Sequence, residues 1–293
     1  MTSALPQVIT PALTPAQQTQ VVNLIRRAAR AEILPRFRNL SSASISEKSN
    51  FNDLVTEADI EAEAMITRGL LRLFPSALVV GEEAISKTPE LRDKIDDAEL
   101  AFIIDPVDGT ANFVHGLTTF GVILSVTRFG TPVFGLHYDP ILDDYLIADT
   151  GDKPTRRVTS SGSTRSVRTA ESRDISGLNG YIHMHLMEQD IQAQMAPMIP
   201  DFGIISVLRC SCHEYRTLAQ GGVHFALSAK LNPWDHAAGT LLVERAGGYV
   251  RMLDGTQYST KTRDGYLLAA CNEETWHRVK DHLDFLTSEN TAA

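Results

Sequence analysis

The chain has 293 residues, a length that suits two subdomains sharing one site, and its 22% charged and 43% apolar content is that of a globular protein. A formal net charge of −9 and a pI near 5.5 speak against a nucleic-acid-binding surface. Three cysteines (Cys210, Cys212, Cys271) do not make a small disulfide framework, and no apolar run reaches membrane-spanning length.

Thr14-Pro15 reads as an N-cap and first helical position, and Val21, Val22, Leu24, Ile25 and Ala28 recur at helical spacing, so a helix is expected over 15–38. Residues 40–52, rich in Ser and Asn, read as a loop. A second amphipathic helix is expected from Thr56 to Phe74, with Pro75 ending it. Strand candidates follow at Ala77–Val80, Leu100–Ile104, Gly121–Arg128, Val133–Tyr138 and Tyr145–Ala148. Residues 151–176, polar and Arg-rich, mark a subdomain boundary, giving an α+β part over 1–150 and an α/β part over 151–293. The second part alternates: strand near 180–185, helix 187–198, strand 203–207, helix 213–220, strand 223–228, helix 234–246 and strand 266–270. Trp276 and His277 fall in a C-terminal helix.

Four segments carry candidate chemistry. In Phe102–Phe113 an apolar strand runs into Asp105 and Asp108, with Pro106 fixing the backbone between them, and Gly109-Thr110 opening a helix. Carboxylates at a strand end can share a hard cation, and free N–H groups beside them can hold a phosphate. Val79-Val80-Gly81-Glu82-Glu83 is a second strand ending in acids. In Asn232–Gly239, Asp235 lies in the first turn of a helix of small residues, where capping is the plainer reading. In Asp53–Asp59, Asp59 sits at a helix start, and capping is again the plainer reading.

Together, in this order, the segments resemble the inositol monophosphatase family of Mg²⁺-dependent, lithium-sensitive phosphatases. The strings Asp105-Pro106-Val107-Asp108-Gly109-Thr110 and Trp234-Asp235-x-Ala237-Ala238-Gly239 match both of its signatures, and the likeness spans roughly residues 20–270. The resemblance implies an α/β (α+β) fold, the layered αβαβα sandwich of the sugar-phosphatase type. It also implies a homodimer and two to three Mg²⁺ per site, held by Glu82, Asp105, the carbonyl of Val107, Asp108 and Asp235. By the same resemblance Thr110, oriented by Asp59, activates water together with Glu82, the N–H groups of Gly109 and Thr110 cradle phosphate, and Lys48 lies on a loop near the metals. Hard oxygen donors without His or Cys suit Mg²⁺ better than Zn²⁺. The expected partner is a small phosphorylated substrate, with no nucleic-acid polymer and no membrane. The N-terminal residues have neither a basic start nor a long apolar core, so the expected location is cytoplasmic.

The chain departs from the family in its alcohol-reading half. Arg209-Cys210-Ser211-Cys212-His213-Glu214 stands where the family has a Gly-Ser/Thr-Ala-Ala stretch, and Ser228 stands where inositol-specific members have Glu. His213 and Glu214 are therefore candidate substrate-binding residues, alongside Asp108, Gly109, Thr110 and Asp235. The Cys-x-Cys-His cluster lacks the second ligand pair of a structural zinc site and reads as two buried thiols. Substrates other than inositol phosphate (a nucleotide 3′-phosphate, fructose bisphosphate or histidinol phosphate) and a non-catalytic regulatory role are the alternatives.

Overall fold

A computed structural model describes residues 12–40, 45–47, 54–151 and 153–288. Lys48 and Asp53 lie outside the described residues.

The first helix, α1 (Pro15–Ala28), starts on a reciprocal cap: Gln17 N–H donates to Thr14 Oγ1 and Thr14 N–H donates to Gln17 Oε1. It continues as a π-helical turn over Ala29–Ile33 and so stops short of the predicted residue 38. After the short strands β1 (Ile45–Glu47) and β2 (Leu54–Thr56), α2 (Glu57–Leu73) packs beside α1. Their apolar faces cover one side of a seven-stranded sheet, burying Ile25, Ile66 and Leu70 against Phe102 and Leu124.

That sheet runs β3 (Leu78–Gly81), β4 (Ala101–Asp108), β5 (Gly121–Arg128), β6 (Thr131–Asp139), β7 (Asp144–Asp149), β8 (Arg156–Val158) and β9 (Thr164–Ser166). Only β3 and β4 are parallel; the rest form an antiparallel meander. All eight residues of β4 are buried, the apolar run Ala101–Ile104 and the two aspartates that follow it alike. Two short helices border the site, α3 (Glu82–Lys87) and α4 (Thr110–Val114).

The second sheet has five strands in the order β11 (Ile205–Ser206), β10 (Gly180–Ile182), β12 (Phe225–Ser228), β14 (Leu267–Ala270) and β13 (Tyr249–Met252). Helices α6 (Ser211–Ala219) and α7 (Pro233–Arg245) lie between the sheets; α7 packs on β4 to β7 on one side and on β13 and β14 on the other. Gly239 lets this happen, since a Cβ there would sit 2.3 Å from the Tyr215 ring of α6. Helices α5 (Gln189–Met195) and α8 (Glu273–His282) belong to the core on the outer face, where Ile191, Met195, Trp276 and Val279 are buried with Phe225 and Leu268, and α9 (Phe285–Ser288) ends the described chain. The result is the expected α/β layering of helix, sheet, helix, sheet, helix. The polar stretch read as a boundary contributes β8 and β9 to the first sheet, so the passage to the second sheet falls between Ser166 and Gly180. Among the described residues no helix is long and apolar enough to cross a membrane.

Candidate active site

The end of β4 is where the local chain does most for the site. Asp105 pairs with Ile123 and Asp108 with Gly121, so Pro106-Val107 form a bulge opposite the single residue Val122. Pro106 has no N–H for the ladder, which favours the break there. In a regular strand residues three apart face opposite ways; the extra residue turns Asp105 and Asp108 to the same side. Asp235, in the first turn of α7, meets them from the other layer, and carboxylate oxygens of Asp105, Asp108 and Asp235 all lie within 4.8 Å of one another. Asn232 Nδ2 donates to Asp235 Oδ2 at 3.0 Å and fixes that carboxylate.

The three acids open into a cavity of about 320 Å³, which Glu82, Gly109 and Thr110 also line. Glu82 stands outside the three-acid group but close enough for its charge to act on Asp105, Asp235 and Asp59. Burial, and then the charges of Glu82, Asp108 and Asp235, raise the Asp105 carboxyl well above its ordinary range. Burial and the Asp108 and Glu82 charges push Asp235 up to about 8. Asp108 is pushed up to about 7 by burial, against the bonds it receives from Cys212 N–H at 2.5 Å, Cys210 Sγ at 3.1 Å and Ser211 N–H at 3.2 Å. Acids held this close are out of balance with their surroundings unless positive charge joins them. A larger groove of about 780 Å³ between α1 and α2 has no carboxylate in its wall.

Asp59 does both things the sequence left open. Its Oδ2 accepts the Thr56 N–H at 2.9 Å and hydroxyl at 2.5 Å, completing the cap of α2. Its Oδ1 accepts the Thr110 hydroxyl at 3.2 Å. That hydroxyl also lies 3.0 Å from the Val107 carbonyl oxygen, so Thr110 is held between two acceptors. Burial, and then the nearby charges of Glu82 and Glu83, outweigh the Thr56 hydroxyl bond and push Asp59 up to about 7. Gly109 has a φ of 88°, and a Cβ there would come within 2.9 Å of the Thr119 carbonyl oxygen. Only glycine fits this turn without strain.

The α6 segment differs from expectation. His213 does not reach the cavity wall: its Nε2 is 3.0 Å from the Phe120 carbonyl oxygen, and its ring lines a separate surface pocket. Glu214 is buried behind the wall, accepting Leu208 N–H at 2.8 Å and lying 2.7 Å from His183 Nε2. Because three bonds to Asp108 fix the start of α6, that helix cannot rotate to present 213 and 214. The cavity wall is made instead by His183, His185, Arg209, Ser228 and Lys230; Arg209 and Ser228 stand at the positions where the sequence departs from the family, and the other three carried no signal by spacing. Cys210 and Cys212 are buried free thiols, both pushed up first by burial.

A model of the inositol monophosphatase family matches residues 13–283. The chain is 29% identical over 218 residues to a fructose-1,6-bisphosphatase/inositol-1-monophosphatase of Thermotoga maritima, covering 73% of this chain and 77% of that one. It is 28% identical over 267 residues to the Nus factor SuhB of Pasteurella multocida, covering 85% and 91%. The fold is similar to that of inositol monophosphatase II from Staphylococcus aureus MSSA476, with a TM-score of 0.76, 22% identity and coverage of 94% and 96%. The signature acids, their convergence on one cavity and these likenesses agree: the chain belongs to the inositol monophosphatase family, a family of phosphatases.

Proposed function

We propose that the protein hydrolyses a small phosphate monoester in a Mg²⁺-dependent reaction. The observation that carries this reading is the meeting of Asp105, Asp108 and Asp235, with oxygens within 4.8 Å, at the floor of a cavity that Glu82 and Thr110 share. The donor set fits the cation: all are hard oxygens, and their raised pKa values report charge that a divalent ion would balance. Glu82, Asp105, the Val107 carbonyl, Asp108 and Asp235 would hold two to three ions. When bound, Mg²⁺ neutralises the phosphate dianion, lowers the pKa of water and stabilises the leaving alkoxide.

The protein's own groups do the rest. The Thr110 hydroxyl, held by Asp59, accepts a hydrogen bond from the attacking water and aims it at phosphorus. Glu82 takes the water's proton. The N–H groups at Gly109 and Thr110 receive the phosphate oxygens in the tight turn. Residues 1–150 thus supply Asp59, Glu82, Asp105, Asp108 and Thr110, and residues 151–293 supply Asp235 and the alcohol-reading wall. Homodimerisation, cytoplasmic location and lithium sensitivity belong to the same proposal; size-exclusion with light scattering and a lithium titration check the first and last.

A non-catalytic role, the alternative class, gives no reason for three acids, two of them buried, and an oriented threonine to converge. A phosphate-release assay with inositol 1-phosphate and glycerol 2-phosphate separates the two. Release in Mg²⁺ that is lost in chelator is expected; no release from any small phosphomonoester in Mg²⁺ overturns the reading.

A further inference from the structure

The cavity is electrically mixed. Its lining carries the acids Glu82, Asp105, Asp108 and Asp235 and, beside them, the cations Arg209 and Lys230. Both are exposed, and among the described residues neither has an ion-pair partner. His183 in the same lining already has Glu214 at 2.7 Å, whereas Arg209 and Lys230 make no such pair, and the Lys230 charge acts only at longer range on Asp235.

Each of the two is anchored to a different acid. The carbonyl of Arg209 lies 3.4 Å from where a Gly109 Cβ would be, and Cys210 and Ser211, the next two residues, bond to Asp108. The carbonyl of Lys230 is 2.7 Å from His236 Nε2, and Asn232, two residues on, holds Asp235. Both side chains therefore start beside the acid floor and border the space beyond it.

Arg209 is also in a backbone conformation that arginine rarely adopts, with a φ of 53°. Glycine would sit there without strain, so the strained side chain calls for a reason. In a chain of net charge −9, two unpaired cations at a cavity mouth attract anions. A neutral polyol can accept hydrogen bonds from them but offers no charge to match theirs.

We infer that Arg209 and Lys230 form a subsite for a second anionic group on the substrate, a phosphate or a carboxylate on the alcohol part that leaves. This rests on the phosphatase reading above and narrows its substrate class to small phosphomonoesters with an anionic tail. Arginine offers a planar fork to either oxyanion, and lysine adds a point charge.

Two matched substrate pairs test it: fructose 1,6-bisphosphate against fructose 1-phosphate, and 3-phosphoglycerate against glycerol 3-phosphate. The first pair adds a phosphate and the second a carboxylate, so the pair with the larger ratio identifies the group. In Mg²⁺ the member with the second anion is expected to have a kcat/KM at least about tenfold higher in one pair, a gap that shrinks as salt is added. Arg209→Gly removes the charge while relieving the backbone. It is expected to melt no lower than the parent and to bring that ratio most of the way to one, with Arg209→Lys intermediate. Lys230→Ala should lower the ratio too. Turnover without preference in either pair overturns the subsite and leaves the phosphatase reading standing. A loss from Arg209→Gly that is equal within each pair also overturns it, because Arg209 would then hold the reacting phosphate. No turnover of any of the four overturns the subsite, and if inositol 1-phosphate and glycerol 2-phosphate are not turned over either, the phosphatase reading falls with it.

Discussion

Glu63 reaches from α2 to the start of α3: its carboxylate accepts the N–H of Glu83 at 2.8 Å, and the next N–H, that of Ala84, at 2.9 Å. Gly81, the cap residue of α3, has no side chain to do this. The pair of bonds sets where the helix begins, and so where Glu82 stands over the cavity. Burial pushes the Glu63 carboxyl up to about 7 in spite of both bonds. Glu63→Ala leaves two N–H groups without their acceptor and should cost about 1–3 kcal/mol of stability. It should also raise the Mg²⁺ concentration for half-maximal activity several-fold, with Glu63→Gln milder on both counts. Thermal melts and Mg²⁺ titrations read the two effects; a stability loss with an unmoved Mg²⁺ curve would mean that Glu63 supports the fold alone.

Asp105 has neighbours on every side of the acid group, and its carboxylate also accepts the Val107 N–H at 3.1 Å. Asp105→Asn keeps the shape and removes the charge. It should lower kcat by about a hundredfold or more, the equivalent of roughly 3 kcal/mol or more of lost transition-state stabilisation. A kcat near the parent value at saturating Mg²⁺ would remove Asp105 from the chemistry.

Asp235 meets the other acids from a different layer and depends on Asn232 for its orientation. Asp235→Asn should move the Mg²⁺ activation curve to higher concentration, and Asn232→Ala should move it the same way by roughly tenfold, the lower end of the range seen when a ligand's supporting bond is removed. Curves that overlay the parent would reduce Asp235 to a helix-terminal charge.

Without metal, the raised carboxyls make stability depend on pH. Asp59 and Asp108, pushed up to about 7, and Asp235, to about 8, bind protons in the folded protein that the unfolded chain has released by about pH 5. The folded state then holds more protons than the unfolded one, so stability falls as pH rises from about 5 to 8. In chelator the melting temperature should drop across that window. Mg²⁺ should lift it, and lift it more at pH 8 than at pH 6, because ions and protons compete for the same oxygens. A melting temperature flat with pH in chelator and unmoved by Mg²⁺ would contradict the acid cluster as described.

Gly109→Ala places a Cβ in a left-handed turn, 2.9 Å from the Thr119 carbonyl oxygen. The backbone term alone is about 1–2 kcal/mol. Activity should fall by more than stability does, since the displaced N–H groups are those proposed to hold phosphate. Parent-like kinetics in this variant would place the phosphate elsewhere.

Much of this was legible in the chain because the signals were local. Thr14-Pro15 and Thr56 are caps, the run into Asp105 is a buried strand, and both were readable from residue type and spacing. Helix α3 was not, because Glu82 and Glu83 follow a strand directly and the acceptor that starts the helix is Glu63, twenty residues earlier. Glu63 lies four residues after Asp59 on the same face of α2, and that spacing was the one hint available. Strands β8 and β9 hide in a polar stretch with no apolar alternation, and β13 follows Gly247-Gly248 too closely to read as a separate element. The wall of the cavity was the least legible part. Which side of α6 faces inward is decided by Asp108, a hundred residues away, and no property of His213 or Glu214 records it.

Helix α7 touches both sheets and carries Asp235 in its first turn, so the two halves of the molecule share one structural member. Occupation of the acid cluster then ties the β4 end to that member, and an ion bound there acts as a rivet between layers. Hydrogen exchange should slow on metal binding along α7 and at the ends of β4 and β12 together, rather than at the ligands alone. A substitution deep under α7, at Gly239 for example, would be felt as a change in ion affinity even though no atom of residue 239 touches the site.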